Sequence, residues 1–205
     1  MNLPSLLVIL DLDETLIHTT TAPLNNQMAH LKMANYWLYE RPYVRDFISF
    51  CLSHFRVAVW TSSNEPYAHA VITHLFEQPE QLEFIWARQR CTVRMDHQRW
   101  EPFYVKNLKK VKALGERLER IIMLDDSPEK LIHQYGNLVR ISPFEGQAND
   151  KELLLLMNYL LYLNQQPNVR DIEKRGWQQH MLHQAIQQQR AQLYASGDAD
   201  ANEEI

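Results

Sequence analysis

The sequence predicts an α/β protein in which a parallel sheet carries helices on both faces. Three observations lead there. Short apolar runs recur at Val8-Ile9-Leu10, Val57-Ala58-Val59-Trp60, Ile121-Ile122-Met123-Leu124 and Leu138-Val139-Arg140-Ile141, as in strands buried on both sides. Segments of helical spacing alternate with them, at the interval of a parallel arrangement. Finally, three runs end in polar or acidic groups: Asp11/Asp13, Thr61/Ser62 and Asp125/Asp126. Right-handed crossovers bring all strand carboxyl ends to one edge, where open α/β sheets bind ligands.

Taken in order, Leu7 to Leu10 is the first strand, and Asp11 and Asp13, two apart in near-extended backbone, point to one side. From Thr15 to Glu40 only a short β-hairpin is expected, with Leu31, Met33 and Tyr36 to Tyr39 flanking Ala34-Asn35. Arg41-Pro42 then opens a helix bearing Val44, Phe47, Ile48, Cys51 and Leu52. The strand ending at Trp60 leads through Thr61-Ser62-Ser63-Asn64 into a helix from about Glu65 to Phe76. Leu82 to Trp86 is a further strand, and the basic region after it looks irregular as far as Leu108. After Leu124, Ser127-Pro128-Glu129 supplies a cap, a first helical position and a first-turn acid. Asp150 to Leu163 is a hydrophobic helix. Gln178 to Tyr194 is a Gln-rich one with Met181, Leu182, Ala185, Ile186 and Leu193 in a stripe, which docks on the domain or meets a partner. The tail from Ser196 to Ile205 is acidic and expected to be disordered.

With 205 residues and 45% hydrophobic content, the chain can form one well-cored domain. Its first ten residues lack a basic region and meet Asp11 too early for a secretory signal. The apolar stretch Leu153 to Leu163 is far short of the roughly 20 residues that span a bilayer. Cys51 and Cys91 form neither a disulfide framework nor a zinc site. A cytoplasmic protein without a membrane partner is the expectation. The net charge of -4 gives no push toward nucleic acid, yet Arg88 to Arg120 holds ten basic residues against four acidic ones. Such an excess favours an anionic partner if it faces the crevice, and a solvated face otherwise.

The gathered side chains suit phosphate ester chemistry, whose uncatalysed slowness demands accelerations of up to about 10²¹. One carboxylate attacking phosphorus would divide the reaction into two displacements, while a second protonates the leaving oxygen and then deprotonates water. Repulsion between nucleophile and phosphate calls for a hard cation with oxygen ligands, and Mg²⁺ fits. A hydroxyl and backbone N–H groups after Thr61 would hold the phosphoryl oxygens, with Ser62 beside it, and a lysine would neutralise them. Lys106 is best placed by sequence order.

Asp11-Leu12-Asp13-Glu14-Thr15-Leu16, Trp60-Thr61-Ser62-Ser63, Tyr104-Val105-Lys106-Asn107-Leu108 and Leu124-Asp125-Asp126-Ser127-Pro128 together resemble the motifs of the haloacid dehalogenase superfamily. More narrowly they are similar to the branch of RNA polymerase CTD phosphatases and NLI-interacting-factor-like proteins, as is Arg41-Pro42-Tyr43-Val44. The resemblance runs from about Leu6 to Ile141. It implies a three-layer, Rossmann-like phosphatase fold with a small β-hairpin insert in place of a large cap. With the helical segments and tail read from the residues beyond it, the chain divides into a phosphatase domain over 1–164, a helical extension over 165–195 and the tail over 196–205. It further implies a Mg²⁺-dependent phosphatase with Asp11 as nucleophile and Asp13 as general acid/base. Thr61 would bind phosphate, Lys106 would stabilise it and Thr15 would orient the loop. The metal would be held by Asp11, by Asp13 through its backbone carbonyl, by Asp126 directly and by Asp125 through water. Eukaryotic relatives often carry Asn where Asp126 stands; Asp is still a competent oxygen ligand, with a metal affinity that can differ.

An open site suits a phosphate displayed on a macromolecule, and a phosphoserine or phosphothreonine protein is the leading substrate. The aromatic-lined insert of relatives that reads proline-containing phosphopeptides is not reproduced by Thr19 to Tyr39, so a polymerase tail is not carried over. Two alternatives stand beside it. One is a nucleic-acid end phosphatase, motivated by the basic run. The other is a non-catalytic adaptor contacting a partner through the Gln-rich helix.

Overall fold

The computed structural model describes residues 3–96, 100–183, 186 and 187. These fall in two compact units, Met1–Arg175 and Gly176–Ile205. In chain order the first contains β1 (Leu7–Leu10), β2 (Ile17–Thr20), β3 (Leu31–Met33), β4 (Tyr36–Glu40), α1 (Val44–His54), β5 (Arg56–Trp60) and α2 (Glu65–Leu75). There follow β6 (Ile85–Trp86), β7 (Thr92–Asp96), β8 (Glu101–Val105), α3 (Lys109–Lys112), β9 (Ile121–Asp125), β10 (Leu138–Arg140) and α4 (Glu152–Asn164).

A parallel sheet in the order β10-β9-β1-β5-β6 forms the centre. β1 is its middle strand and is buried along its whole length, as its unbroken apolar run requires. Leu10 lies level with Val59 of β5 and Leu124 of β9, so the three strands finish side by side. The chain adds β5 and β6 on one side of β1, then returns to place β9 and β10 on the other. That reversal makes the end of β1 a topological switch point, where a crevice opens.

Alternation sends Leu7, Ile9, Ala58, Trp60, Ile121 and Met123 into one core cluster with Leu108, Val111 and Leu131. Residues of opposite parity in the strands face the other side. There α1, which buries Val44, Phe47, Ile48 and Cys51, contacts β5 and packs against α4. Arg120 closes the C-terminal end of α4 by donating to the carbonyls of Asn164 (3.1 Å) and Gln166 (2.5 Å) while also reaching Pro4 O at 2.9 Å. A cation at orphan helix carbonyls is favourable for both hydrogen bonding and the helix dipole.

Several local expectations are corrected. The hairpin β3–β4 turns at Ala34-Asn35 as expected, but β2 joins it to make a three-stranded antiparallel sheet. Ile17-His18-Thr19-Thr20 carries little apolar alternation, so its pairing with β4 was not legible. α1 begins at Val44 rather than Arg41, because Tyr43 takes a left-handed φ of 66° between Pro42 and the helix. The strand expected from Leu82 is only Ile85–Trp86, since a 3-10 turn at Pro79–Gln81 delays the chain's arrival at the sheet edge.

The basic region is not irregular: β7 and β8 pair as an antiparallel hairpin, with Val93 opposite Tyr104 and Met95 opposite Pro102. Arg94 and Pro102 break the pattern by which a strand is recognised in sequence. After β9 the expected helix is a single 3-10 turn, Pro128–Leu131, and the Ser127 hydroxyl donates to Asp126 Oδ2 (3.0 Å) instead of capping. In the second unit, residues 177–183 and 186–187 are helical, which covers Met181, Leu182 and Ile186 of the apolar stripe. Ala185, Leu193 and the acidic tail lie outside the described residues.

Candidate active site

Because β1 is flanked by β9, Asp11 emerges beside Asp125, and its backbone N–H donates to Leu124 O at 3.1 Å. Asp11, Asp125 and Lys106 are all buried. Lys106 Nζ lies 2.8 Å from Asp11 Oδ1 and 2.6 Å from Asp125 Oδ2. A second ammonium, that of Lys130, lies 2.9 Å from Asp11 Oδ2, 3.2 Å from Asp125 Oδ1 and 3.6 Å from Asp126 Oδ1. Sequence order pointed to Lys106 but not to Lys130, whose i,i+4 spacing from Asp126 was the available signal.

Asp11, Asp125 and Asp126 each present one carboxylate oxygen, and these oxygens lie within 4.8 Å of one another. Asp126 Oδ1 is buried and makes no hydrogen bond among the described residues; Asp11 Oδ1, though close to Lys106, makes no aligned one. Three carboxylates against two ammonium groups, with oxygen donors incompletely satisfied, suit a hard divalent cation such as Mg²⁺. Asp13 is expected to serve the metal through its backbone carbonyl, and its carboxylate is engaged apart from this group, by Ser63 and Tyr67.

Burial disfavours an ionised Asp11, yet the charges of Lys106 and Lys130 outweigh it and hold the carboxyl below its ordinary range. Asp125 is pushed the other way by burial and by the charge of Asp11. Lys130 is raised, because Asp11, Asp125 and Asp126 overcome its desolvation. Glu14, in a left-handed turn at φ 55°, is pushed up to about 7 by burial and then by Asp13 and Asp126.

Asp13 accepts a hydrogen bond from Ser63 Oγ at 2.7 Å and another from the Tyr67 hydroxyl, which also meets Thr19 Oγ1 at 3.1 Å. Burial raises the Asp13 carboxyl, against the lowering effect of both donors. An acid so tuned suits proton donation. Tyr67 is set on the first turn of α2 by its N-cap, with Asn64 Oδ1 accepting from Tyr67 N at 3.0 Å. Ser63 stands in the Trp60-Thr61-Ser62-Ser63 motif with no role assigned to it from sequence, and Tyr67 carries no sequence signal of its own. Tyr67→Phe is expected to lower kcat about tenfold, the scale of one hydrogen bond to a charged group, with little change in KM. Loss of this donor destabilises the Asp13 carboxylate and raises its pKa. If the protonated form acts first, the alkaline fall in rate therefore moves to higher pH, which a pH–rate profile reads directly.

At the end of β5, buried Thr61 donates its N–H to Trp86 O (2.9 Å), and Thr61 Oγ1 accepts from Ser63 N at 3.0 Å. Ser62 turns its carbonyl to Arg88 Nε at 2.7 Å. Thr15 is wholly buried beneath the loop and its carbonyl accepts from Arg41 Nη1 at 3.0 Å. Two members of the basic run from Arg88 to Arg120 are buried and two of its exposed members stack on rings. Lys106 is inside the site, Arg120 is spent on carbonyls, and Arg88 and Arg90 lie over the rings of Tyr104 and Trp86.

A parallel sheet with its chemistry above the middle strand places this protein in the haloacid dehalogenase-like fold class. The solved structure of Fcp1, an essential RNA polymerase II CTD phosphatase, shares the fold with a TM-score of 0.54 and 14% identity, over 87% of this chain and 62% of that one. Residues 6–170 match the family model of NLI interacting factor-like phosphatases, and the chain belongs to that family.

Among curated relatives, it is similar to the CTD small phosphatase-like protein 2 of Dictyostelium discoideum, 30% identical over 90% of this chain and 31% of the relative. The nuclear envelope morphology protein 1 of Schizosaccharomyces pombe is 28% identical over 83% of this chain and 36% of its own length. The chain thus spans about a third of these relatives. The cytoplasmic expectation is corrected by the second name: a relative named for the nuclear envelope shows that cysteine usage and the first ten residues do not fix a compartment. No helix among the described residues is long and apolar enough to cross a membrane.

Proposed function

We propose that the protein is a Mg²⁺-dependent phosphatase that hydrolyses phosphate monoesters through an aspartyl-phosphate on Asp11, and that its substrate is a phosphoserine or phosphothreonine protein. The observation that carries this reading is the Asp11 carboxylate, buried and kept ionised between Lys106 and Lys130, beside the carboxylates of Asp125 and Asp126.

An Asp11 oxygen attacks phosphorus as the bond to the leaving oxygen breaks, and protonated Asp13 supplies the proton which that oxygen takes up. Asp13, now a carboxylate, removes a proton from a water that attacks the phosphorus of the aspartyl-phosphate, releasing phosphate and restoring Asp11. Ser63 and Tyr67 hold Asp13 in place through both steps. Lys106 and the Thr61 hydroxyl stabilise the phosphoryl oxygens. Asp11, Asp125 and Asp126 would hold Mg²⁺, which when bound neutralises charge between the nucleophile and the phosphoryl group.

A protein substrate is favoured by the relatives' names and by the small insert, since only the three-stranded sheet of β2, β3 and β4 separates β1 from α1. The basic run that motivated a nucleic-acid end loses Lys106 to the site and Arg120 to backbone carbonyls, which weakens that alternative. A panel of phosphopeptides, nucleotides, oligonucleotide ends and small phosphorylated metabolites with Mg²⁺ tests the proposal. The expected result is fastest release from phosphopeptides and none after chelation of the metal. Faster release from oligonucleotides or metabolites would overturn the substrate class, and undiminished release without metal would overturn the mechanism.

A further inference from the structure

Lys130 is placed differently from Lys106, although both touch Asp11 and Asp125. Lys106 is buried, with its Nζ against Asp11 and Asp125 alone among the three carboxylates. Lys130 keeps 17% of its side chain exposed and reaches all three carboxylates of the candidate metal group. Its backbone is pinned, because Lys130 O accepts from Lys106 N at 2.7 Å and Lys130 N donates to Ser127 O at 3.1 Å. Only the four-carbon stem is left to move, and such a stem can carry its ammonium to solvent.

A cation bound by one oxygen from each of Asp11, Asp125 and Asp126 would sit about 2 Å from each of them. An ammonium 2.9, 3.2 and 3.6 Å from oxygens of the same three groups lies in or against that volume. Two cations so close repel each other strongly in a buried setting. We propose that Lys130 is a tethered competitor for the divalent cation: its ammonium holds Asp11, Asp125 and Asp126 together in the metal-free protein and must withdraw toward the rim when the ion binds.

The consequence is regulatory. Without the ion, three neighbouring carboxylates would repel and splay; with Lys130 among them the site stays assembled. Affinity for the ion falls in return, so occupancy follows the free concentration of the divalent cation. This inference rests on the reading of those three residues as metal ligands and is independent of which phosphate ester is the substrate.

Calorimetric titration of Mg²⁺ into the full chain, alongside Lys130→Met and Lys130→Arg, tests it without reference to turnover. Lys130→Met is expected to bind Mg²⁺ at least about tenfold more tightly, because a like charge beside the ion is gone. Lys130→Arg, which keeps the charge, is expected to bind no more tightly than the parent. A thermal melt is the second measurement: metal-free Lys130→Met should melt below the parent and gain more from saturating Mg²⁺. Equal or weaker binding by Lys130→Met would overturn the proposal while leaving the metal site standing. Absence of Mg²⁺ binding in every protein would overturn both.

Discussion

Asp11→Asn is expected to abolish phosphate release, by on the order of 10⁴-fold or more, as removal of a nucleophile does when the remaining groups act only through it. The amide fills nearly the same space at the end of β1, so the sheet should survive; what is lost is the negative oxygen that attacks phosphorus. Lys106 and Lys130 then face one carboxylate fewer, and a modest loss of stability accompanies the loss of rate. Steady-state release from a phosphopeptide and from an aryl phosphate, with circular dichroism to verify folding, checks this. Activity within a few fold of the parent would remove Asp11 from the proposed role.

Arg41→Ala is expected to have the largest effect on stability. The guanidinium is wholly buried and makes a two-pronged pair with Asp150, Nε to Oδ1 at 3.0 Å and Nη2 to Oδ2 at 2.7 Å. It also donates to Thr15 O, and its own N–H donates to Leu16 O at 3.0 Å, so one residue ties α4's approach to the loop carrying Asp11 and Asp13. Asp150 in turn accepts from Glu152 N at 2.9 Å at the start of α4. Truncating one partner leaves the other charge stranded, which costs about 3–5 kcal/mol when both are buried. Asp150 is slightly exposed, so the lower end applies, or roughly 6–12 °C in Tm for a chain of this size. Arg41→Lys should recover little, because an ammonium cannot make the two-pronged pair. A drop of less than 1–2 °C in a thermal melt would contradict this account.

The frame of the site was legible because burial on both faces leaves an unmistakable apolar run, and three such runs stop at Asp11, Thr61 and Asp125. Parallel pairing then forces their ends together, and Asp126 and Lys106 arrive with them. The residues that tune the site were not legible, because each depends on a local turn. Lys130 is aimed at Asp11 by one 3-10 turn where a longer helix was expected. Tyr67 reaches Asp13 only because Asn64 fixes where α2 starts. Arg41 is marked in sequence by its resemblance to a family segment, but its ties to Thr15 and to Asp150 follow from chain packing. The hairpin of β7 and β8 was hidden because Arg94 and Pro102 interrupt the strand pattern, and the register that sets Met95 opposite Pro102 and Arg94 opposite Phe103 follows only from the fold.

The central claim is that the Asp11 side chain itself takes the phosphoryl group. Borohydride quenching during turnover, followed by peptide mass analysis, tests it most directly, since an acyl phosphate is reduced and an aspartate converted to homoserine. Conversion at position 11, dependent on both substrate and Mg²⁺ and absent from position 13, is the result this account predicts. Rapid phosphate release with Asp11 unmodified, or conversion at another carboxylate, would contradict it.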